Sequence, residues 1–97
     1  MPVFELTSYR ATPGTPDDVV IAAVIGARVW MQAQPGFVGH RLLQAADGVW
    51  TDLAEWSDMA AALAAHNAFD PAHPALAPLM AVCDLPSLSM RHAAQVA

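Results

Sequence analysis

The stretch FVGHRLLQAADGVWTDLAEW, residues 37–56, reads as one β-hairpin whose strands carry an arginine, an aspartate and two tryptophans. Together these residue types can do chemistry. A guanidinium can hold an organic anion, a carboxylate can take a proton, and indole rings can stack on a flat substrate. Arg41 is the candidate for the anion, Asp52 or a histidine for the proton, and Trp50 and Trp56 for the ring. Arg41 and Asp52 are also expected as diagonal neighbours across the hairpin, where they could simply neutralise each other in an interface. His40 is expected opposite Glu55, as an ordinary cross-strand pair. His66 and His73 are seven residues apart, but Pro71 interrupts the helix that would align them and no third ligand has fitting spacing, so no metal is expected. His92 faces either the cavity or the helices, and Tyr9 either donates to a ligand or keeps its hydroxyl wet. Cys83, the single cysteine, has no partner motif beside it and reads as a small buried apolar group.

The elements that position these groups follow from local pattern. VFELTSYRA, residues 3–11, reads as a strand stopped by TPG. Thr15 is expected as the N-cap of a first helix, with Pro16 at its first position and Asp17 and Asp18 at the positive end of its dipole. Val20, Val24, Ala27 and Met31 form one apolar stripe, Ile21, Ile25 and Val29 a second, so this helix needs cover on more than one side. Pro35-Gly36 ends it. Asp47-Gly48 predicts a two-residue type I′ turn. That turn puts Phe37, Gly39, Arg41 and Leu43 on one face with Trp50, Asp52, Ala54 and Trp56. Ser57 caps a second, alanine-rich helix from Asp58 to about Asn67, prolines at 71, 74 and 78 allow only short turns, and a strand over 88–93 closes the chain. The order β-α-β-β-α-β predicts a single ferredoxin-like α+β domain over 1–97, a four-stranded antiparallel sheet with two helices on one face. On the uncovered face Trp50, Trp56, Phe37 and Leu43 would meet water, which predicts a homodimer packed sheet to sheet, with ligand space between the sheets.

Composition narrows the function. Hydrophobic residues make up 56% of the chain and charged ones 13%, more apolar surface than a small domain hides, so a second subunit or a greasy ligand is expected. There is no lysine, and four arginines face nine acidic residues for a net charge of −5, which argues against nucleic acid and excludes a Schiff-base lysine or a P-loop. The longest uncharged apolar run, Val19 to Ala27, is far short of a membrane span, no basic leader precedes it, and the lone cysteine fits a reducing compartment; a cytoplasmic protein is expected.

PGFVGHRLLQ followed by LAEWSDMAAALAAH resembles the dimeric α+β barrel superfamily, and within it the antibiotic-biosynthesis-monooxygenase-like group. The shared marks are a glycine-aromatic opening to the second strand, a tryptophan closing the third, an acidic helix start and a histidine late in the second helix. Carried over, Trp56 matches the strand-ending tryptophan and His66 the helix histidine. Ala54 departs from the pattern, standing where the group commonly has glutamate, with Glu55 shifted to the other face. The haem-degrading branch is disfavoured: Leu63 stands where a tryptophan ten residues before His73 is expected, and the first strand has Thr7 and Ser8 but no asparagine.

The resemblance implies a cofactor-independent monooxygenase acting on an aromatic or polyketide-like compound held between sheet and helices, with no flavin, haem or metal. Such chemistry holds a phenol or quinol as its anion in a dry cavity, so that the electron-rich ring reduces dioxygen directly. Arg41, Asp52 and His66 are the expected catalytic groups, and Phe37, Leu43, Trp50, Trp56, His73 and Tyr9 the substrate-binding ones. The alternative is a non-catalytic module of the same fold that binds a hydrophobic ligand or a protein.

Overall fold

The computed structural model describes residues 1–97. Strand β1 (Val3–Tyr9) leads to helix α1 (Asp17–Gln32), strands β2 (Phe37–Gln44) and β3 (Trp50–Trp56) form a hairpin, and helix α2 (Met59–Ala68) follows. A short helix α3 (Ala77–Val82) and a 3₁₀ turn (Leu85–Ser87) precede strand β4 (Ser89–Ala94). The sheet order is β2-β3-β1-β4 with every neighbouring pair antiparallel, the ferredoxin-like arrangement expected.

The helix boundaries sit close to their sequence signals. Pro16 rather than Thr15 occupies the N-cap of α1, its carbonyl accepting from the amides of Val19 and Val20. Asp58 rather than Ser57 caps α2, its Oδ1 accepting from Ala61 N at 2.8 Å. Pro78 lies in the first turn of α3, where a missing N–H costs nothing.

Two packed clusters join the helices to one face of the sheet. Around α1 and α3, Tyr9 and Trp50 bury against Val20, Val24, Leu76 and Leu79. Around α2, Val3, Ala54 and Trp56 bury against Ala62 and Ala65. Trp30 and Met31 of α1 touch both clusters.

The hairpin register corrects two expectations. Ala45 N donates to Val49 O at 2.8 Å, so Ala46, Asp47 and Gly48 form a three-residue loop. Gly48 has φ +90° while Asp47 does not enter positive φ, which rules out type I′. The added loop residue slips β2 by one position: Leu42 stands opposite Asp52, His40 opposite Ala54 and Arg41 opposite Leu53. A one-residue slip exchanges the faces of a strand. Arg41 and Leu43 therefore share the face of Thr51, Leu53 and Glu55, while His40 and Leu42 join Trp50, Asp52 and Ala54. A bulge at Val38 restores the first residue, so Phe37 still meets Trp56, edge to face at 5.5 Å between ring centres.

The second correction concerns cover. Trp50, Asp52, Ala54 and Trp56 lie beneath this chain's own helices and are buried, so they form no sheet-to-sheet interface. The uncovered face carries Phe4, Leu6, Leu53, Leu43 and Arg41 instead.

Gly36 fixes the passage from α1 into β2. Its φ is +82°, and a Cβ there would lie 2.5 Å from Ala61 Cβ and 2.8 Å from Ser57 Oγ. Gly36→Ala should cost about 3 kcal/mol, combining the left-handed penalty with overpacking against α2. Urea unfolding of the two proteins checks this; a loss below about 1 kcal/mol would contradict the close approach.

Candidate functional site

Between the sheet and the helices lies a cavity of about 390 Å³, within the range of small-molecule sites. Its existence follows from residue size. Ala54 on the sheet faces Ala27 of α1 and Ala65 of α2, and three methyl groups cannot fill the gap between layers. Trp30, Met31, Phe69, Leu79 and Met80 supply apolar walls from the helical side. Glu5, Thr7 and Tyr9 from β1 and Asp52 and Trp56 from β3 form the floor, with His66, Leu88 and Met90 toward the exposed edge.

The floor holds a carboxylate in an apolar place. Asp52 is only 8% exposed, a costly position for a charge unless hydrogen bonds compensate it. His40 supplies one: its Nε2 lies 2.7 Å from Asp52 Oδ1, and the imidazole is completely buried. Arg28 of α1 in turn donates from Nε to His40 Nδ1 at 3.0 Å. A second acid–imidazole pair, Glu5 and His92 at 2.9 Å, stands farther along β1 and is less buried, with the His66 ring centre 6.3 Å from that of His92.

Two hydrogen-bonding atoms have no protein partner. Tyr9 Oη and Trp56 Nε1 are both buried, and both residues line the cavity. Burial pushes the Tyr9 phenol far above its usual range, and the Asp52 carboxylate pushes it further through its charge and a weak hydrogen-bonding attraction to the phenol, although the two groups do not reach the geometry of a formed hydrogen bond. Burial likewise raises the Cys83 thiol, helped by Asp84 and Asp52, so it stays a protonated apolar group of the wall. A ligand bearing oxygen acceptors would satisfy Tyr9 and Trp56.

Of the residues singled out in the sequence, Asp52, His66, Trp56 and Tyr9 line this cavity. Phe37 packs on Trp56 without reaching it, and Trp50 is buried in the α1 cluster. Arg41 and Leu43 stand on the opposite face because of the slipped register, so Arg41 neither neighbours Asp52 nor meets a ligand here. His73 is exposed in the loop before α3, its Nδ1 accepting from Ala75 N at 3.0 Å. Sequence reading missed Arg28, Glu5 and the pairing of His40 with Asp52; the true hairpin register points to the pairing alone. No group of three or more His, Cys, Asp and Glu side chains could hold a metal ion. No helix is long and apolar enough to cross a membrane.

No family model and no curated protein matches the sequence, but solved structures do. SnoaB, a cofactor-independent oxygenase from Streptomyces nogalater, matches with a TM-score of 0.78 at 19% identity, covering 99% of this chain and 94% of that one. A proposed antibiotic biosynthesis monooxygenase from Bordetella bronchiseptica matches at 0.82 and 15% identity over 99% and 98%. Another, from Chloroflexus aurantiacus, matches at 0.73 and 17% identity over 100% and 95%. The chain shares the ferredoxin-like α+β fold of these structures.

Tyr9 is the single tyrosine, so phenolate absorbance reports on it alone. Its raised folded value sets the sign of the pH effect: stability is whole below the ordinary value of about 10 and declines as pH rises above it, since only the unfolded chain ionises there. At about pH 11 the folded protein should show no phenolate signal, and Tyr9→Phe should be spared a loss of roughly 1.4 kcal/mol that wild type suffers. Absorbance titration and urea unfolding at both pH extremes check this. Phenolate forming near pH 10 in folded protein would contradict it.

Proposed function

We propose that the cavity binds an electron-rich, oxygen-bearing aromatic compound and that Asp52 is the base of a cofactor-independent monooxygenation. The observation that carries the reading is a buried carboxylate on the floor of an apolar cavity together with two unpartnered donors, Tyr9 Oη and Trp56 Nε1. The likeness to SnoaB, a cofactor-independent oxygenase, supports the same reaction class.

The proton balance suits the site. When Asp52 takes a proton from a phenol or an activated ring CH₂, the charge passes from carboxylate to substrate and the cavity's net charge is unchanged. The new oxyanion then needs donors rather than a full cation, and Tyr9 and Trp56 offer them. The anion is oxidised by dioxygen: electron transfer and recombination form a carbon–oxygen bond, and the O–O bond breaks as the ring CH₂ becomes C=O and water leaves. Overall R₂CH₂ + O₂ gives R₂C=O + H₂O, with the substrate supplying all four electrons. Apolar walls from Trp30, Met31 and Phe69 limit water and side reactions.

The uncovered sheet face we assign to a second copy of this chain. Phe4, Leu6 and Leu53 are half-buried there and Leu43 is 50% exposed, an apolar band that a twin face would cover.

A dihydroxyanthrone is the test substrate, because oxygenation converts it to a coloured quinone. Wild type should accelerate quinone formation and place one atom of labelled dioxygen in the product. Asp52→Asn should keep binding, read by tryptophan quenching, and lose about 100-fold or more in kcat. Binding without turnover in wild type would leave a hydrophobic-ligand-binding protein of the same fold. For the dimer, light scattering should give twice the 10.2 kDa chain mass for wild type and a single chain mass for Leu53→Glu. A monomeric wild type would refute the assignment of that face.

A further inference from the structure

Asp52 has a specific neighbour on every side. His40 reaches it from β2, Tyr9 stands beside it on β1, and Cys83 approaches from the end of α3 with Asp84 behind it. Arg28 of α1 backs His40, while Glu5, itself bound to His92, and His66 lie elsewhere on the cavity wall. In this ring the His40 imidazole is the group at hydrogen-bonding distance from the carboxylate, 2.7 Å from Oδ1.

Its proton is placed by elimination. Arginine has donors and no acceptor, so the Arg28 Nε–H···Nδ1 bond of 3.0 Å requires a bare lone pair on His40 Nδ1. The ring proton therefore sits on Nε2 and points at Asp52 Oδ1, 2.7 Å away. This differs from a proton relay. His40 cannot receive Asp52's proton on Nε2, which is already occupied, nor pass one through Nδ1, which Arg28 covers. It can do one thing: hold Oδ1 in place by a hydrogen bond, leaving the other oxygen for the cavity.

Resting on the oxygenase reading above, we propose that His40 and Arg28 are positioning residues, Arg28 locking the His40 tautomer and His40 aiming the Asp52 base. A guanidinium two bonds removed thereby serves the base without entering the cavity. A proton taken by Asp52 must leave through the cavity, not through the protein behind it.

The first readout needs no turnover. Long-range ¹H–¹⁵N spectra of the wild-type imidazoles near neutral pH should show one ring as the Nε2–H tautomer that disappears in His40→Gln, and Arg28→Met should redistribute that ring between tautomers. An Nδ1–H or doubly protonated His40 in wild type overturns the proposal. The second readout is the steady-state kinetics of dihydroxyanthrone oxidation. His40→Gln, whose amide can still donate to Oδ1, should stay within about threefold of wild type in kcat. His40→Leu, folded or rescued by stabilising ligand, should lose at least about tenfold in kcat with KM within about threefold of wild type, because Oδ1 is no longer held in place. An equal loss in His40→Gln and His40→Leu, or a loss confined to KM, the result of a purely structural role, overturns the proposal. If wild type leaves the anthrone unoxidised, the oxygenase reading falls, and the spectra still decide how His40 and Arg28 hold Asp52.

Discussion

The hydrogen bond from His40 to Asp52 is the constraint around which the rest is arranged. A carboxylate 8% exposed beneath two helices is tolerable only if its charge is met, and the meeting group comes from the neighbouring strand. That requires His40 and Asp52 on the same face of the hairpin, hence a register one residue away from the two-residue turn, hence a three-residue loop ending in Gly48. Arg28 then fixes the rotation of α1 about its own axis, because the residue that reaches His40 must point at the sheet edge while Val20, Val24 and Ala27 point at the core. Charge placement and apolar packing select one orientation of the helix.

Much of the architecture was legible in the sequence for reasons of local physics. Helix starts showed to within one residue, read from Thr15 and Ser57 and found at Pro16 and Asp58, the helix stop through Pro35-Gly36, the strands through alternation, and the element order pointed to one topology. The face assignment was not legible. Asp47-Gly48 suits a two-residue turn and a three-residue loop alike, and no pattern in FVGHRLLQ separates them, since each face of that strand mixes apolar and polar residues. One residue of difference moved Arg41 out of the site and His40 into it. Phe37 stayed beside Trp56 only because the bulge at Val38 undid the slip locally. Arg28 was invisible for another reason: a single charge on a helix between two apolar stripes reads as solvent-facing until its partner is known.

The cavity itself is a negative feature, made by what side chains do not fill. Alanine at 27, 54 and 65 satisfies the same hydrophobic pattern that leucine would, so periodicity reports a core position without reporting its emptiness. The polar groups stand out more clearly. Tyr9 Oη and Trp56 Nε1 carry unused hydrogen-bonding capacity in an otherwise satisfied interior, and natural interiors keep few such atoms without a use.

The alanines also grade the stiffness of the molecule. Helix α2 buries only Ala62 and Ala65, while its larger Met59 and Leu63 are 40% and 45% exposed, so it adheres to the sheet through little more than methyl groups. By contrast α1 sinks Val20 and Val24 completely. Local opening of α2 thus lies at the low end of the free-energy scale, and its amides belong to a different exchange class from those of α1. An occupant packed between α2 and the sheet would supply the apolar mass that the helix lacks, ordering it as it binds. Part of its interaction would surface in calorimetry as an entropic penalty, and the tightest ligands would be those that complete a domain wall rather than merely enter a pocket.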